Sequence, residues 1–308
     1  MRRDFVNEVG RIQRIRRTDL VEKDLILHQM LLDLSKNRFF SENFVFKGGT
    51  CLIKCYLGYF RFSEDIDFTW KQQEVFEGKS QKEIRRYLSN VIDTLGGVFE
   101  EIAAKRGLDF KCEKHNRTYV ELGGGNKTCT FKVWYESDIL NHRSFVKVQI
   151  NFVEKLHFAI RKEELKSLLS KEQEDLETLF PEYKEYVQTI PFDVYDIREI
   201  LSEKVRAILT REGVKARDFL DVYLVCKEFG IDLEDVREII VGKTKFILSL
   251  YEKYRRNLVE KRDVITSGKA FTWGEERGLL LQEIDEREFY KFIEAFNVFL
   301  KKVIEEVV

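Results

Sequence analysis

A chain of 308 residues can build one large domain or two medium ones, and with 44% apolar residues it is not a disordered protein. A formal net charge of −1 excludes a chain-wide basic field for nucleic acid but allows local basic patches. Charged residues reach 35% with only 2 prolines, a density that hints at a thermophilic source.

In chain order, residues 19–37 read as a helix with Leu20, Leu25, Ile26, Met30, Leu31 and Leu34 along one side. Residues 43–47 read as a short strand running into Gly48-Gly49, and Thr50 to about Leu57 as a short helix. Residues 64–70 alternate and read as a strand; residues 80–106 are helical, with Ile84, Leu88, Val91, Ile92, Leu95 and Ile102 as the apolar set. Strands are expected over about 108–121, 127–136 and 145–153. Leu122-Gly123-Gly124-Gly125-Asn126 between two of them reads as a hairpin turn, because no helix begins there to make a phosphate loop.

From about residue 163 the pattern turns helical. A charged helix over 161–178 leads through Pro181 and Pro191 to helices near 196–211, 216–228, 233–260 and 285–305. In the last, Phe289, Phe292, Ile293, Phe296, Phe299 and Leu300 form a stripe expected in the core or on a subunit face. The expected class is α+β: a mixed sheet with flanking helices over 1–160, then a helical bundle over 161–308, with ligands bound where the two meet.

No apolar run approaches the roughly 18 residues of a membrane span, so none is expected. The N-terminal stretch MRRDFVNEVGRIQRIRR is too charged for a secretory signal. Cys51, Cys55, Cys112, Cys129 and Cys226 are odd in number and lack C-x-x-C spacing, which suits a reduced, cytoplasmic setting with buried thiols. His28, His115, His142 and His157 show no catalytic or zinc spacing.

The chemistry concentrates at Asp65 and Asp67. On a strand, both carboxylates point to one face while Ile66 and Phe68 point to the other. Neighbouring like charges repel, and a hard divalent cation between them removes the penalty. A solvated strand end would also accommodate two acids. Upstream, Lys47-Gly48-Gly49-Thr50 takes a strand into a Gly-Gly turn and then a helix, where a phosphate can approach backbone N–H groups closely. Lys54, one turn on, would add positive charge.

The stretch KGGTCLIKCYLGYFRFSEDIDF resembles the signature of the AbiEii/AbiGii family of nucleotidyltransferase toxins, within the DNA polymerase β-like nucleotidyltransferase superfamily. The resemblance implies a nucleotidyltransferase-type sheet in the N-terminal half. It implies that Lys47, Gly48, Gly49, Thr50 and Ser63 bind the nucleotide, with Arg61 as support. It also implies that Asp65 and Asp67 bind the catalytic Mg²⁺ (or Mn²⁺).

A second match, SEKVRAILTREGVKARDFLDVYLV, covers residues 202–225. Lys204 lies at the edge of an apolar helical stripe, where its stem can snorkel, and Asp218 and Asp221 need partners if buried. Lys204, Arg211 and Arg217 can supply a purely structural ion network. In the family, such a Lys helix followed by an Arg-Asp-x-x-Asp helix completes the nucleotide site. Lys204 would then contact the triphosphate, and Asp218 or Asp221 would orient it or act as a base.

One departure stands out. The superfamily usually carries a third carboxylate on a later strand; here residues 145–154 present Lys147, Gln149 and Asn151 on the polar face. An amide can ligate a metal but brings no charge. Asp138 and Glu154 are the candidate substitutes.

The resemblance therefore implies an Mg²⁺-dependent transfer from an NTP to an RNA, tRNA included, or to a protein, by a toxin restrained by an antitoxin. The alternatives are a degenerate nucleotide-binding module, a metal-dependent nuclease, and a purely structural interaction protein. Basic residues cluster over 2–17 and 243–262, interspersed with acids, as a solvated helix face or as RNA contacts.

Overall fold

The computed structural model describes residues 2–169, 174–268 and 270–308. It divides into two units, Met1–Glu154 with Ile160–Val194, and Lys155–Ala159 with Tyr195–Val308.

The first unit opens with helices α1 (Arg2–Ile12), α2 (Thr18–Lys36) and α3 (Arg38–Asn43). Strand β1 (Phe44–Lys47) leads into the single turn α4 (Gly48–Cys51), which continues as a π-helical turn, Leu52–Leu57. Strand β2 (Asp65–Trp70) and the long helix α5 (Gln81–Arg106) follow. Then come β3 (Val120–Gly123), β4 (Thr128–Glu136), β5 (Arg143–Asn151), β6 (Arg161–Leu165), the short α6 (Glu174–Leu179) and β7 (Ile190–Val194).

The seven strands among the described residues join one mixed sheet, in the order β3-β4-β5-β2-β1-β7-β6. β2 runs parallel to β5 and β1 parallel to β7; the other pairs are antiparallel.

Alternation in sequence makes the two sheet faces different. Ile66, Phe68, Val148, Ile150, Cys129 and Phe131 share the buried face. The helices close over it: Phe40 of α3 meets Phe68 edge-on at 4.7 Å, and Phe99 of α5 meets Phe131 at 4.9 Å. The long helix starts where the sequence signals it, with a capping box between Ser80 and Glu83, and stops at Gly107 in the left-handed region. Its whole expected apolar set is buried. The opposite face carries Asp65, Asp67, Thr69, Lys147, Gln149 and Asn151, with Thr130 and Lys132 beyond.

Of the charged helix expected over 161–178, the first five residues form a strand instead, residues 170–173 lie outside the described residues, and only Glu174–Leu179 is helical. Arg161–Leu165 is an edge strand, where solvated charges are favoured because they discourage further pairing, and only its Leu165 is buried. The sheet thus draws β6 and β7 from beyond residue 160, while Lys155–Ala159 belongs to the helical unit. The expected strand over 108–121 is largely irregular and reduces to β3 plus a bridge from Asp109 to Trp134.

The second unit comprises α7 (Ile197–Thr210), α8 (Ala216–Phe229), α9 (Arg237–Leu250), α10 (Glu252–Thr266) and α11 (Glu286–Val307). The single helix expected over 233–260 breaks at Tyr251, which is extended (φ −138°) between α9 and α10. The α11 stripe is core: Phe289, Ile293, Phe296, Phe299 and Leu300 are buried, with Phe296 edge-on to Phe219 of α8. Segment Lys155–Ala159 is pinned by two buried side chains. Glu199 accepts from the His157 and Phe158 N–H groups at 2.9 Å each, and Lys243 donates to the Lys155 carbonyl while pairing with Glu199 at 2.6 Å. No helix among the described residues is long and apolar enough to cross a membrane.

Beneath the Gly-Gly turn lies a buried polar cluster. Asp24 of α2 pairs with Lys54 at 2.9 Å and accepts hydrogen bonds from Tyr59 at 3.0 Å and Tyr186 at 2.7 Å. Lys54 is therefore not an extra phosphate ligand; its ammonium is fully buried against Asp24. His28 lies one turn beyond Asp24, 5.2 Å from the Tyr186 ring. Burial, reinforced by the Lys54 charge, pushes its imidazole well below the ordinary range, so the folded protein holds it neutral. The unfolded chain takes up a proton below about pH 6.5, so this contribution is complete above that pH and is lost as pH falls. The groups acting on His28 are the Lys54 ammonium, the Tyr186 ring and the backbone at Glu185 and Gln188. Urea unfolding should show the wild type losing about 1 kcal/mol more than His28→Phe between pH 6.5 and 5.5. Equal losses would place the protonation elsewhere.

Candidate active site

Strand pairing puts Lys47, the last residue of β1, beside Asp67. The chain leaves the strand through Gly48 at φ +78°, a conformation that glycine adopts without strain. A Cβ built on Gly48 would stand 2.3 Å from the Asp67 carboxylate, so the side chain of the acid rests against bare backbone. Thr50, two residues on, bonds to the Ser63 hydroxyl at 2.8 Å and to the Asp65 carbonyl. These contacts fasten α4 to the start of β2.

Asp65 and Asp67 are partly exposed, while Ile66 and Phe68 are fully buried behind them. The fold thus gathers Gly48, Gly49, Thr50, Ser63, Asp65 and Asp67 into one constellation. Lys47 is next to it, but its ammonium is buried 4.0 Å from the Glu154 carboxylate. Arg61 is buried too, donating to the Phe62 carbonyl at 2.7 Å with its guanidinium over the Phe60 ring, as a support for the strand entry. Glu64 pairs with Lys23 of α2 at 2.9 Å.

Across β2, Gln149 lies opposite Asp67 and Lys147 opposite Asp65. The residue paired with Asp67 is thus an amide, and a lysine adjoins Asp65. Of the two substitutes, Asp138 serves α1, accepting from Arg2 at 2.9 Å, and Glu154 turns to Lys47. Among the described residues, no group of three or more His, Cys, Asp or Glu gathers as a metal site.

In the second unit, Lys204 of α7 reaches two acids of α8, Asp218 at 2.9 Å and Asp221 at 2.6 Å. Arg211 holds the other oxygen of Asp218 at 2.7 Å. Burial raises the Asp218 carboxyl, but Lys204 and Arg211 outweigh it and hold the group well below the usual carboxylate range. Two cavities in this unit, about 490 and 230 Å³, contain none of the expected site residues. Of the 243–262 basic run, Lys243 is consumed by Glu199, and Lys261 donates to the Ile208 carbonyl at 3.0 Å.

A Gly-Gly turn laid against an Asp-x-Asp strand in a mixed sheet, followed by a helical unit, is the arrangement of a nucleotidyltransferase. Residues 30–302 match the model of the AbiEii family, described as nucleotidyl transferase AbiEii toxin of type IV toxin–antitoxin systems, and the chain belongs to that family. Among solved structures it is similar to MenT4, a nucleotidyltransferase toxin from Mycobacterium tuberculosis. That likeness has a TM-score of 0.57 and 21% identity, and covers 98% of this chain and 89% of that one. JHP933 from Helicobacter pylori also matches, at TM-score 0.45 and 16% identity over 94% of each chain. No curated protein matches the sequence.

Proposed function

We propose that this chain transfers a nucleotidyl group from an NTP to a hydroxyl of an RNA, with tRNA a leading candidate, using Mg²⁺ or Mn²⁺ held by Asp65 and Asp67. The observation that carries this reading is the contact between the Gly48 backbone and the Asp67 carboxylate, which sets a phosphate-accessible turn beside a hard oxygen donor. Two carboxylates sharing one face suit Mg²⁺, which commonly takes one or two carboxylates plus substrate phosphates. When bound, the metal offsets charge on the transferred phosphoryl group and the pyrophosphate leaving group.

The rest falls to positioning. Gly48 and Gly49 admit the triphosphate close to backbone N–H groups, and Thr50 and Ser63 keep the turn in register with the acids. Lys204 is assigned to the triphosphate, with Asp218 and Asp221 orienting it. A toxin of this class implies a cognate antitoxin as partner.

Incubation with Mg²⁺, each α-labelled NTP and total tRNA should place label on RNA with one preferred nucleotide. RNA affinity should fall steeply with salt. A second reading, NTP binding without transfer, draws on Gln149 where an acid is expected. It predicts metal-dependent NTP binding and no labelled product. RNA cleavage without NTP would favour a nuclease instead.

A further inference from the structure

The sheet face that carries Asp65 and Asp67 continues over β5 onto β4. Asp65 is opposite Lys147, and Lys147 is opposite Lys132. One same-face step back along β5, Phe145 is opposite Trp134, and their rings lie 4.6 Å apart, both half-exposed. The Trp134 indole N–H donates to the Thr118 carbonyl at 2.8 Å, which fixes its plane.

Cations surround the pair. The Arg143 guanidinium sits 4.6 Å from the Trp134 ring centre, and the Lys147 and Lys132 ammoniums 5.9 and 6.0 Å from that of Phe145. Arg143 is balanced by Asp109 and Lys132 by Glu121, whereas Lys147 makes no ion pair among the described residues. From strand spacing and rise, Phe145 and Asp65 are about 8 Å apart at Cα, roughly one nucleotide step.

A cross-strand aromatic pair can exist for packing alone. Here it lies beside the carboxylate pair, ringed by cations, where the same-face positions of β4 and β5 are otherwise polar. Bases of any identity stack on such rings, and lysines meet the phosphates between them. The Gly48–Thr50 turn follows β1, on the other side of β2 from β5. The Asp pair therefore separates the turn from the rings, which assigns the rings to the acceptor rather than to the NTP.

We propose that Trp134 and Phe145, flanked by Lys132, Arg143 and Lys147, form the platform on which the single-stranded end of an acceptor nucleic acid stacks next to Asp65 and Asp67. This rests on the transferase reading above. The penultimate base lies on the rings, Lys147 meets the phosphate that follows, and the terminal hydroxyl faces the carboxylates.

The test uses the full chain and a fluorescein-labelled single-stranded RNA of about eight nucleotides with a free 3′-hydroxyl, followed by anisotropy. Trp134→Leu and Phe145→Leu should each weaken RNA binding roughly tenfold or more while NTP binding in Mg²⁺ stays within about twofold. Lys147→Gln should lower the slope of log affinity against log salt by about 0.7, one phosphate contact on a single strand. If Trp134→Leu unfolds the protein, Phe145→Leu and Lys147→Gln carry the test. Lost NTP binding with RNA binding intact would give the rings to the NTP base and overturn the proposal. If the wild type labels RNA and the variants bind it equally well, the platform falls and the transferase reading stands. If the wild type neither binds nor labels RNA but labels a protein, the platform and the RNA acceptor fall together.

Discussion

Gly48→Ala should reduce nucleotide transfer by about a hundredfold or more while the protein stays folded, because displacements near 1 Å in a positioning site cost that much. Two effects combine. An alanine at φ +78° costs roughly 1–2 kcal/mol of backbone energy, and its methyl group would stand 2.3 Å from the Asp67 oxygen, forcing the acid or the turn to move. Gly58 supplies the control: its φ is +76°, but a Cβ added there would meet nothing within 4 Å. Gly58→Ala should therefore cost stability through backbone strain alone and leave transfer intact. Thermal unfolding beside label transfer separates the two effects. If Gly48→Ala retained full transfer, the turn would be only a turn.

The second large effect concerns Lys204. Lys204→Met strips one ammonium from two buried carboxylates, Asp218 and Asp221, and should destabilise by about 3–5 kcal/mol, the cost of leaving a buried charge without its partner. Adding Asp221→Leu removes an anion along with the cation and should restore most of that stability, because Arg211 still holds Asp218. The restored double variant should nevertheless fail to transfer, since the lysine assigned to the triphosphate is gone. A stable double variant with wild-type transfer would make the triad a structural network and remove Lys204 from the chemistry.

The local geometry of the candidate site was legible because its signals are short-range. Alternation alone put Asp65 and Asp67 on one face, and the Gly-Gly turn and the apolar set of α5 lie within a few residues of what they specify. The aspects that escaped depend on distant pairing. Lys54 read as added positive charge for the turn because nothing nearby reveals that Asp24, thirty residues earlier, neutralises it inside the core. Lys243 read as part of a basic patch, yet it is spent on Glu199 and the Lys155 carbonyl. The edge strand Arg161–Leu165 has the composition of an exposed helix, and only its pairing with β7 distinguishes the two. The amides of β5 could be placed on the polar face from sequence, but their register opposite Asp67 required the sheet. Trp134 and Phe145 likewise lie on different strands and become neighbours only through that register.

The most direct test of the central claim is label transfer by Asp65→Asn and Asp67→Asn, each compared with the wild type in Mg²⁺ with the preferred α-labelled NTP and total tRNA. Thermal unfolding should show both variants folded, so that any loss of transfer reports on the site. Transfer should fall roughly a thousandfold, the several kcal/mol that a bound metal contributes to stabilising transferred charge. Folded variants that label RNA as well as the wild type would contradict the assignment of the metal and the reaction to this strand.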